Sequence, residues 1–197
     1  MEDAVEQLDR LARSVSECKR CEELVSCRLR AVSGQGDPHC SVMVVGLHAD
    51  PADEEAGRAA GASLVDGLAE FLPALATSRD KVYVTTLVKC VPRSACDVRA
   101  VKPDEEDNCF PYLSRELSIT TPHYILPVGE DVTRYLLHKL FKDLPYENGD
   151  SLELRLFDNP AFMIVPVATP EELLERDDKA CKTYRERLHS LGQVMGL

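Results

Sequence analysis

The chain has 197 residues, a length that fits one domain with a single hydrophobic core. Its 34 acidic and 23 basic side chains give a formal charge of -11, which is opposite to the basic surface of most nucleic-acid-binding proteins and argues against DNA on bulk charge alone. The acidic start lacks the pattern of a signal peptide, and no run of about 18 apolar residues predicts a membrane helix. We therefore expect a cytoplasmic protein in a reducing compartment, where clustered cysteines indicate a metal site or catalysis.

Helical and strand patterns alternate along the chain. In chain order they predict a helix over residues 3–16, a buried strand over 41–46, an acidic loop over 50–55, a helix over 64–72 and a strand over 81–88. A helix near 105–117, a strand over 123–129, a helix over 132–140, a hairpin with arms 152–157 and 161–167, and a last helix opened by Thr169 follow. This alternation predicts an α/β fold with a mostly parallel sheet. We expect a single domain over residues 1–197 whose N-terminal segment, about 1–36, carries cysteines.

Four of the eight cysteines form a candidate metal centre. Cys18 and Cys21 make a C-x2-C pair, Cys90 ends the second predicted strand, and Cys109 lies in the helix that follows. Four thiolates from three places in the chain can hold a [4Fe–4S] cluster or a structural zinc ion. The other cysteines are interpreted as small buried side chains, namely Cys27, Cys40, Cys96 and Cys181.

Four cations near Cys90 form a candidate basic strip, composed of Lys89, Arg93, Arg99 and Lys102. Such a strip would let an acidic protein contact the phosphates of DNA. The alternative is an ordinary solvated loop, because Asp97 lies among the four cations.

Three motifs place the sequence close to a known family. The C-x2-C pair, followed by VSGQG over residues 32–36, is similar to the opening motif of the iron–sulfur uracil-DNA glycosylases, families 4 and 5 of the uracil-DNA glycosylase superfamily. The strand YVTTLVKC over 83–90 is similar to that family's Y-I-T-N-V-V-K-C strand. The segment CFPYL over 109–113 resembles its second cysteine helix. The resemblance covers about residues 15–190. It implies a three-layer α/β/α fold with a four-stranded, mostly parallel sheet in the order 2-1-3-4. It also implies a [4Fe–4S] cluster held by Cys18, Cys21, Cys90 and Cys109.

The catalytic motifs of that family are replaced here. Leu47 stands where the family has the acid of G-E-A-P-G, and a leucine cannot activate water. Thr86 takes the place of the asparagine that reads the base, so a short hydroxyl replaces a two-ended amide. Thr169 takes the place of the histidine of the H-P motif, although a threonine there is also a good helix N-cap. The aromatic of the P-F pair is missing from residues 57–61.

Two residues near the missing acid are candidates for a relocated general base. Asp53 lies where the family carries a Glu-Asp pair, and His48 follows Leu47 directly. The alternative, which the run of charge favours, is that Asp53, Glu54 and Glu55 form a solvated acidic loop and that His48 is an ordinary loop histidine.

Two functions follow from these motifs. The first is a DNA-base glycosylase of altered specificity in base-excision repair, acting on a deaminated or damaged base rather than on uracil. The second is a catalytically inactive family member that serves as a nucleic-acid or protein binding module or as a structural module. Four simultaneous replacements disfavour uracil excision itself, because the loss of either an electrostatic or an acid–base element costs orders of magnitude in rate.

Overall fold

The computed structural model of the protein describes residues 3–56, 62–69, 71–75, 77–94, 97–143, 146–147 and 149–195. The helices are α1 (Ala4–Ser16), α2 (Glu22–Cys27), α3 (Pro51–Ala56), α4 (Ala62–Leu68), α5 (Pro103–Thr120), α6 (Glu130–Leu140), α7 (Pro170–Leu174) and α8 (Asp178–Met195). The strands are β1 (Gln35–Gly36), β2 (Val42–His48), β3 (Val82–Val88), β4 (Arg93–Ser94), β5 (Asp97–Val98), β6 (Tyr124–Pro127), β7 (Phe157–Asn159) and β8 (Phe162–Ile164). Short 3-10 turns cover Leu72–Leu75 and Arg79–Lys81.

The central sheet has six strands in the order β1-β3-β2-β6-β8-β7. Its four inner strands lie side by side in the order β3, β2, β6 and β8, and they are parallel. Numbered one to four by their position in the chain, these strands have the predicted order 2-1-3-4. The predicted count of four is corrected to six, because β1 and β7 pair antiparallel on the two outer strands of that set. β4 and β5 form a separate two-stranded ribbon next to the Cys90 loop.

Helices cover both faces of the sheet, which confirms the three-layer architecture. Alternate side chains of β2 point to opposite faces, as the period of a strand requires. Met43 and Val45 join the hydrophobic core beneath α1, α5 and α6, whereas Val42 and Val44 join the core beneath α4 and α8. Within the described ranges, no helix is long and apolar enough to cross a membrane.

Three predicted elements differ from the structure. The segment predicted as a solvated acidic loop over residues 50–55 contains the helix α3, and Asp53 and Glu54 are fully buried there. The predicted hairpin is real but short, because its strands cover only Phe157–Asn159 and Phe162–Ile164. The predicted last helix is two helices, α7 and α8.

Candidate metal centre and strand-end site

The four candidate ligand cysteines come from three segments that the fold brings to one side of the sheet. Cys18 lies just after α1, and Cys21 is the N-cap residue of α2. Cys90 follows the end of β3, and Cys109 lies on the buried face of α5, which packs against both β3 and α1. All four belong to, or pack against, the same hydrophobic core.

The thiols are close enough to influence one another. The Lys89 backbone N–H donates a hydrogen bond to Cys109 Sγ at 3.2 Å, which joins the end of β3 to α5. Burial raises the pKa of the Cys90 thiol, and the nearby thiols of Cys18 and Cys21 raise it further. Burial likewise raises the pKa of Cys109 to about 12, with added contributions from Cys90 and Cys18. The structure therefore brings the four predicted cysteines into one neighbourhood.

The donor chemistry of this neighbourhood suits a soft metal centre. A buried thiol with a raised pKa stays neutral unless a bound cation takes the place of its proton. Four sulfurs from three segments, with N–H groups directed at two of them, match the donor set of an iron–sulfur cluster and its surrounding hydrogen bonds. In the described part of the chain, no three His, Cys, Asp or Glu side chains are already arranged to hold a metal ion.

Among the described residues, no contact links the sulfur of Cys27, Cys40 or Cys181 to the four candidate ligands. Cys40 is buried, and desolvation raises the pKa of its thiol to about 11. Cys27 and Cys181 are half-buried free thiols. The prediction for Cys96 falls on a residue outside the described ranges.

Arg28 contacts two of the candidate ligand segments at once. Its Nη1 donates a hydrogen bond to Cys90 Sγ at 3.2 Å, and its Nη2 donates to the carbonyl oxygen of Cys18 at 2.5 Å. Arg28 is the C-cap residue of α2, whose N-cap residue is Cys21. The short helix thus places a cysteine at one end and this guanidinium at the other.

Lys89 is buried, so the predicted basic strip is wrong at this position. The side chain is 1% exposed, and its Nζ forms a 2.7 Å ion pair with Glu116 of α5. The same ammonium group donates hydrogen bonds to Thr85 Oγ1 and to the Thr86 carbonyl oxygen. All three of its N–H groups are therefore used inside the core, as a buried charge requires.

The other three cations of the strip each pair with a carboxylate. Arg93 Nη1 lies 2.5 Å from an oxygen of Glu54, and Arg99 Nη2 lies 2.5 Å from one of Glu105. Lys102 pairs with Glu23 at the surface. Their positive charge is largely compensated within the protein.

Leu47, Thr86 and Thr169, the positions at which the resemblance expects the family's acid, asparagine and histidine, lie near the carboxyl ends of the parallel strands. Ligands of open α/β sheets usually bind there. Leu47 packs against the core beneath α5 and α6. Thr86 is buried, and its Oγ1 donates a hydrogen bond to the Val88 carbonyl oxygen at 2.9 Å. Thr169 is the N-cap of α7, and its Oγ1 accepts a hydrogen bond from the Glu172 backbone N–H at 3.1 Å in a complete capping box. The prediction about the P-F pair falls on residues 57–61, outside the described ranges.

His48 lines a cavity of about 610 Å³ at the end of β2, which we call the His48 cavity. Its Nδ1 lies 2.9 Å from the Ala49 carbonyl oxygen, which can only accept a hydrogen bond, so Nδ1 carries a proton and Nε2 of the neutral ring does not. Burial raises the pKa of Glu106 in the same cavity, and the carboxylates of Asp131 and Asp107 raise it further. The wall of the cavity is formed by Leu47, His48, Ala100, Val101, Pro103, Glu106, Asp107, Asp131, Arg134, Tyr135, His138 and Lys139.

The acidic segment after His48 is structural in part. Glu54 Oε1 accepts hydrogen bonds from the backbone N–H groups of Leu29, at 2.9 Å, and Arg30, at 3.4 Å, while Oε2 pairs with Arg93. The interpretation of this segment as solvated is therefore wrong for Asp53 and Glu54, which are both buried in α3. Glu55 alone of the three acids is exposed.

Sequence reasoning missed Arg28, Glu54 and Glu116 as organising residues. A signal existed for Glu116, because it shares the buried face of α5 with Cys109, Tyr112 and Leu113 at helical spacing, and a charge on such a face needs a buried partner. No comparable periodicity marks Arg28 or Glu54, since both act through contacts with distant segments.

A parallel sheet in the order 2-1-3-4, covered by helices on both faces and flanked by a four-cysteine neighbourhood, defines a protein of the uracil-DNA glycosylase-like class. A comparison with family models agrees, because the model described as "Uracil DNA glycosylase superfamily" matches residues 33–192. The chain belongs to this superfamily.

Curated proteins of similar sequence carry the name of one family, type-4 uracil-DNA glycosylase. The chain is 33% identical over 140 residues, 69% of its own length and 60% of the relative's, to a protein named type-4 uracil-DNA glycosylase from Sulfurisphaera tokodaii. It is 32% identical over 142 residues to one from Saccharolobus solfataricus, covering 69% of this chain and 62% of that one. These matches span about three fifths of the relatives' length. The type-4 enzyme of Archaeoglobus fulgidus is 25% identical over 196 residues, covering 98% of this chain and 95% of that protein.

Proposed function

We propose that the protein is an iron–sulfur DNA-base glycosylase of altered specificity, which removes a damaged base other than uracil in cytoplasmic base-excision repair. The observation that carries this proposal is the placement of His48 on the wall of the His48 cavity with a basic Nε2. This residue directly follows Leu47, the position where the resemblance expects the family's acid.

His48 supplies the general base of the proposed reaction. A glycosylase takes the target base out of the DNA stack and exposes its sugar to water. The Ala49 carbonyl holds the Nδ1 proton, so Nε2 of His48 is the nitrogen that accepts a proton from the attacking water. Asp53, the other candidate base, is buried within α3, and its burial favours His48 for contact with a base in the cavity.

The proposed specificity differs from that for uracil because of Thr86 and Thr169. The Thr86 hydroxyl donates its one hydrogen bond to the Val88 carbonyl oxygen, so it has no donor left with which to read the edge of uracil. Thr169 Oγ1 accepts the capping hydrogen bond of α7, and its neutral hydroxyl carries no positive charge with which to stabilise a departing anion as a protonated histidine can. Both observations support a base with other polar groups, such as a deaminated purine.

Cys18, Cys21, Cys90 and Cys109 would hold the proposed [4Fe–4S] cluster, with zinc as the alternative ion. When bound, such a centre cross-links the N-terminal segment, the end of β3 and α5, and it adds a redox-active group. The N–H groups directed at Cys90 Sγ and Cys109 Sγ support the cluster, since hydrogen bonds to sulfur are a recurrent feature around such centres.

DNA is the proposed partner, in keeping with the names of the curated relatives. Within the predicted strip, Lys102 is the cation best placed for a phosphate, because its side chain is 48% exposed and its partner Glu23 is also accessible. Lys89 takes no part, because it is buried.

A base-release assay tests the proposed activity. Holoprotein purified without oxygen is incubated with single- and double-stranded DNA that carries uracil, hypoxanthine or xanthine. We expect release of a base other than uracil, and we expect His48→Asn to lower that rate by about 100-fold or more, the usual contribution of a general base. His123→Asn, which changes an exposed histidine, is the matched control and should leave the rate unchanged.

A second function, a non-enzymatic binding module, is supported by the local use of both threonine hydroxyls. It predicts no base release from any of the three lesions, together with measurable DNA affinity at low salt that His48→Asn does not alter. Release of a base that depends on His48 would exclude this second function. Absence of both release and DNA affinity would contradict the glycosylase proposal.

A further inference from the structure

Arg28 differs from the cations of the predicted strip in the groups that its guanidinium contacts. Arg93, Arg99 and Lys102 each lie against a carboxylate. Among the described residues Arg28 makes no such ion pair; its guanidinium lies against the sulfur of Cys90 and the carbonyl oxygen of Cys18. A half-buried guanidinium aimed at a thiol is suited to stabilise that thiol as a thiolate.

The two contacts of Arg28 connect parts of the chain that are far apart in sequence. Cys18 belongs to the segment between α1 and α2, whereas Cys90 lies 62 residues beyond Arg28, after β3. The planar guanidinium reaches both acceptors with different nitrogen atoms, which a lysine ammonium on a flexible stem reproduces poorly. Arg28 therefore bridges the segment that carries the C-x2-C pair and the residue that follows β3 by two positions.

The backbone that carries Arg28 is itself held in place. The Arg28 N–H donates to the Leu24 carbonyl oxygen at 2.9 Å and closes α2. The next two N–H groups, of Leu29 and Arg30, donate to Glu54 Oε1, and Glu54 is anchored by Arg93. Further along, the Val32 N–H donates to the Lys89 carbonyl oxygen at 2.8 Å. The backbone that carries the guanidinium is thus held at several points, by Leu24, Glu54 and Lys89.

We infer that Arg28 is a positioning residue for the four-cysteine centre, which orients the Cys18 and Cys90 ligands and stabilises negative charge on the Cys90 sulfur. This inference rests on the metal centre of the proposed function. It assigns two effects to Arg28. The bound metal leaves more slowly because two ligand segments are tied together, and a bound cluster has a higher reduction potential because a cation and an N–H···S bond favour its reduced, more negative form.

Arg20 provides a matched control for Arg28. It is a second arginine near the same centre, and its Nη1 donates to the Asn108 carbonyl oxygen at 3.0 Å. Its guanidinium lies 4.6 Å from the centre of the Tyr112 ring, and none of its hydrogen bonds in the described structure goes to sulfur. Arg20→Gln removes the same charge and the same side-chain type, and with them a bond from the C-x2-C loop to the residue before Cys109, but it removes no bond to a candidate ligand.

The test compares metal release and reduction potential in the wild-type holoprotein, Arg28→Gln, Arg28→Lys and Arg20→Gln. Iron and zinc contents of the wild type identify the metal first, and the rate of its loss to a chelator is then measured for each protein. We expect Arg28→Gln to release metal about tenfold faster or more, as the loss of a charged hydrogen bond implies, while Arg20→Gln, which loses no bond to a ligand residue, changes the rate clearly less. For an iron–sulfur protein, a redox titration followed by electron paramagnetic resonance should show a lower midpoint potential for Arg28→Gln, with Arg28→Lys closer to the wild type.

Equal release rates and equal potentials for Arg28→Gln and Arg20→Gln would overturn the inference. If Arg28→Gln does not fold, Arg28→Lys and Arg20→Lys are compared in metal release, where the inference expects the Arg28 variant to be faster. The metal content of the wild type decides the proposed cofactor separately, because release can be measured for zinc as well as for iron. Wild-type protein without either metal would overturn the inference together with the metal centre, whereas base release remains an independent result.

Discussion

Thr86 and Cys90 lie close together on one stretch of chain, at the end of β3, yet their surroundings differ in kind. The Cys90 sulfur faces a guanidinium and other thiols, so its surroundings offer partners to a metal. The Thr86 hydroxyl is bonded to the backbone of its own strand. The four-cysteine side of the molecule is thus organised by contacts between distant segments, whereas the hydroxyl groups of Thr86 and Thr169 are used in local hydrogen bonds.

Lys89 and Glu116 join these two regions. Glu116 accepts hydrogen bonds from Thr85 Oγ1 at 2.8 Å and from the Gly34 N–H at 3.1 Å, besides its ion pair with Lys89. A carbon atom added at Gly34 would lie 2.6 Å from the Tyr83 ring, so the N-terminal loop approaches this buried pair closely. Lys89 Nζ also donates to the Thr86 carbonyl oxygen, so the buried pair holds the backbone of β3, whereas the Thr86 side chain makes its hydrogen bond to Val88 instead. A side chain at this position can therefore change while the backbone contacts that hold the scaffold are kept.

The largest expected effect separates ligand cysteines from other cysteines. Cys109→Ala removes a sulfur from the proposed centre, so we expect the loss of bound metal and of the visible absorption that thiolate-bound iron gives. Cys181→Ala, in α8 on the opposite side of the sheet, should leave both unchanged. Metal analysis and absorption spectra of the two variants, purified without oxygen, provide the measurement. Full metal content in Cys109→Ala would refute the assigned ligand set.

The buried ion pair should show the next largest effect. Lys89→Met leaves the Glu116 carboxylate buried without its cation, which we expect to lower the free energy of unfolding by about 3–5 kcal/mol. Denaturant unfolding of metal-loaded protein measures this change. Lys102→Met is the control, because the pair that it breaks is exposed at the surface, and it should change stability little. If the two variants had similar free energies of unfolding, the ion pair between Lys89 and Glu116 would not stabilise the fold more than a surface pair does.

The smallest expected effect lies at Thr169. Thr169→Ala removes the N-cap of α7 and should cost about 1 kcal/mol of stability. Because the hydroxyl is assigned to the helix rather than to the reaction, the rate of base release should not change. Stability comes from denaturant unfolding and activity from the base-release assay. If a stable Thr169→Ala protein no longer released the base, Thr169 would have a role in the reaction besides its role as a helix cap.

Local patterns in the sequence predicted those helices and strands in which apolar residues recur with a regular period or form a continuous run. Apolar runs located β2, β3 and β6, and the family motifs supplied their order, which the structure confirms. Asp53 and Glu54 were misread because a run of acids ordinarily lies in solvent, whereas here Glu54 binds two backbone N–H groups from a remote segment. Lys89 was misread for the same reason, since its partner lies on α5, 27 residues away. Whether a charged residue is buried or exposed can therefore be predicted only when its partners in the fold are known.

The release of uracil by fully iron-loaded wild-type protein is the measurement that tests the central claim most directly. The account predicts iron bound at the four cysteines, no uracil release above the background without protein, and release of another base that depends on His48. Uracil release by the wild type that persists in His48→Asn would contradict it, because such activity would need a catalytic group other than the one assigned here.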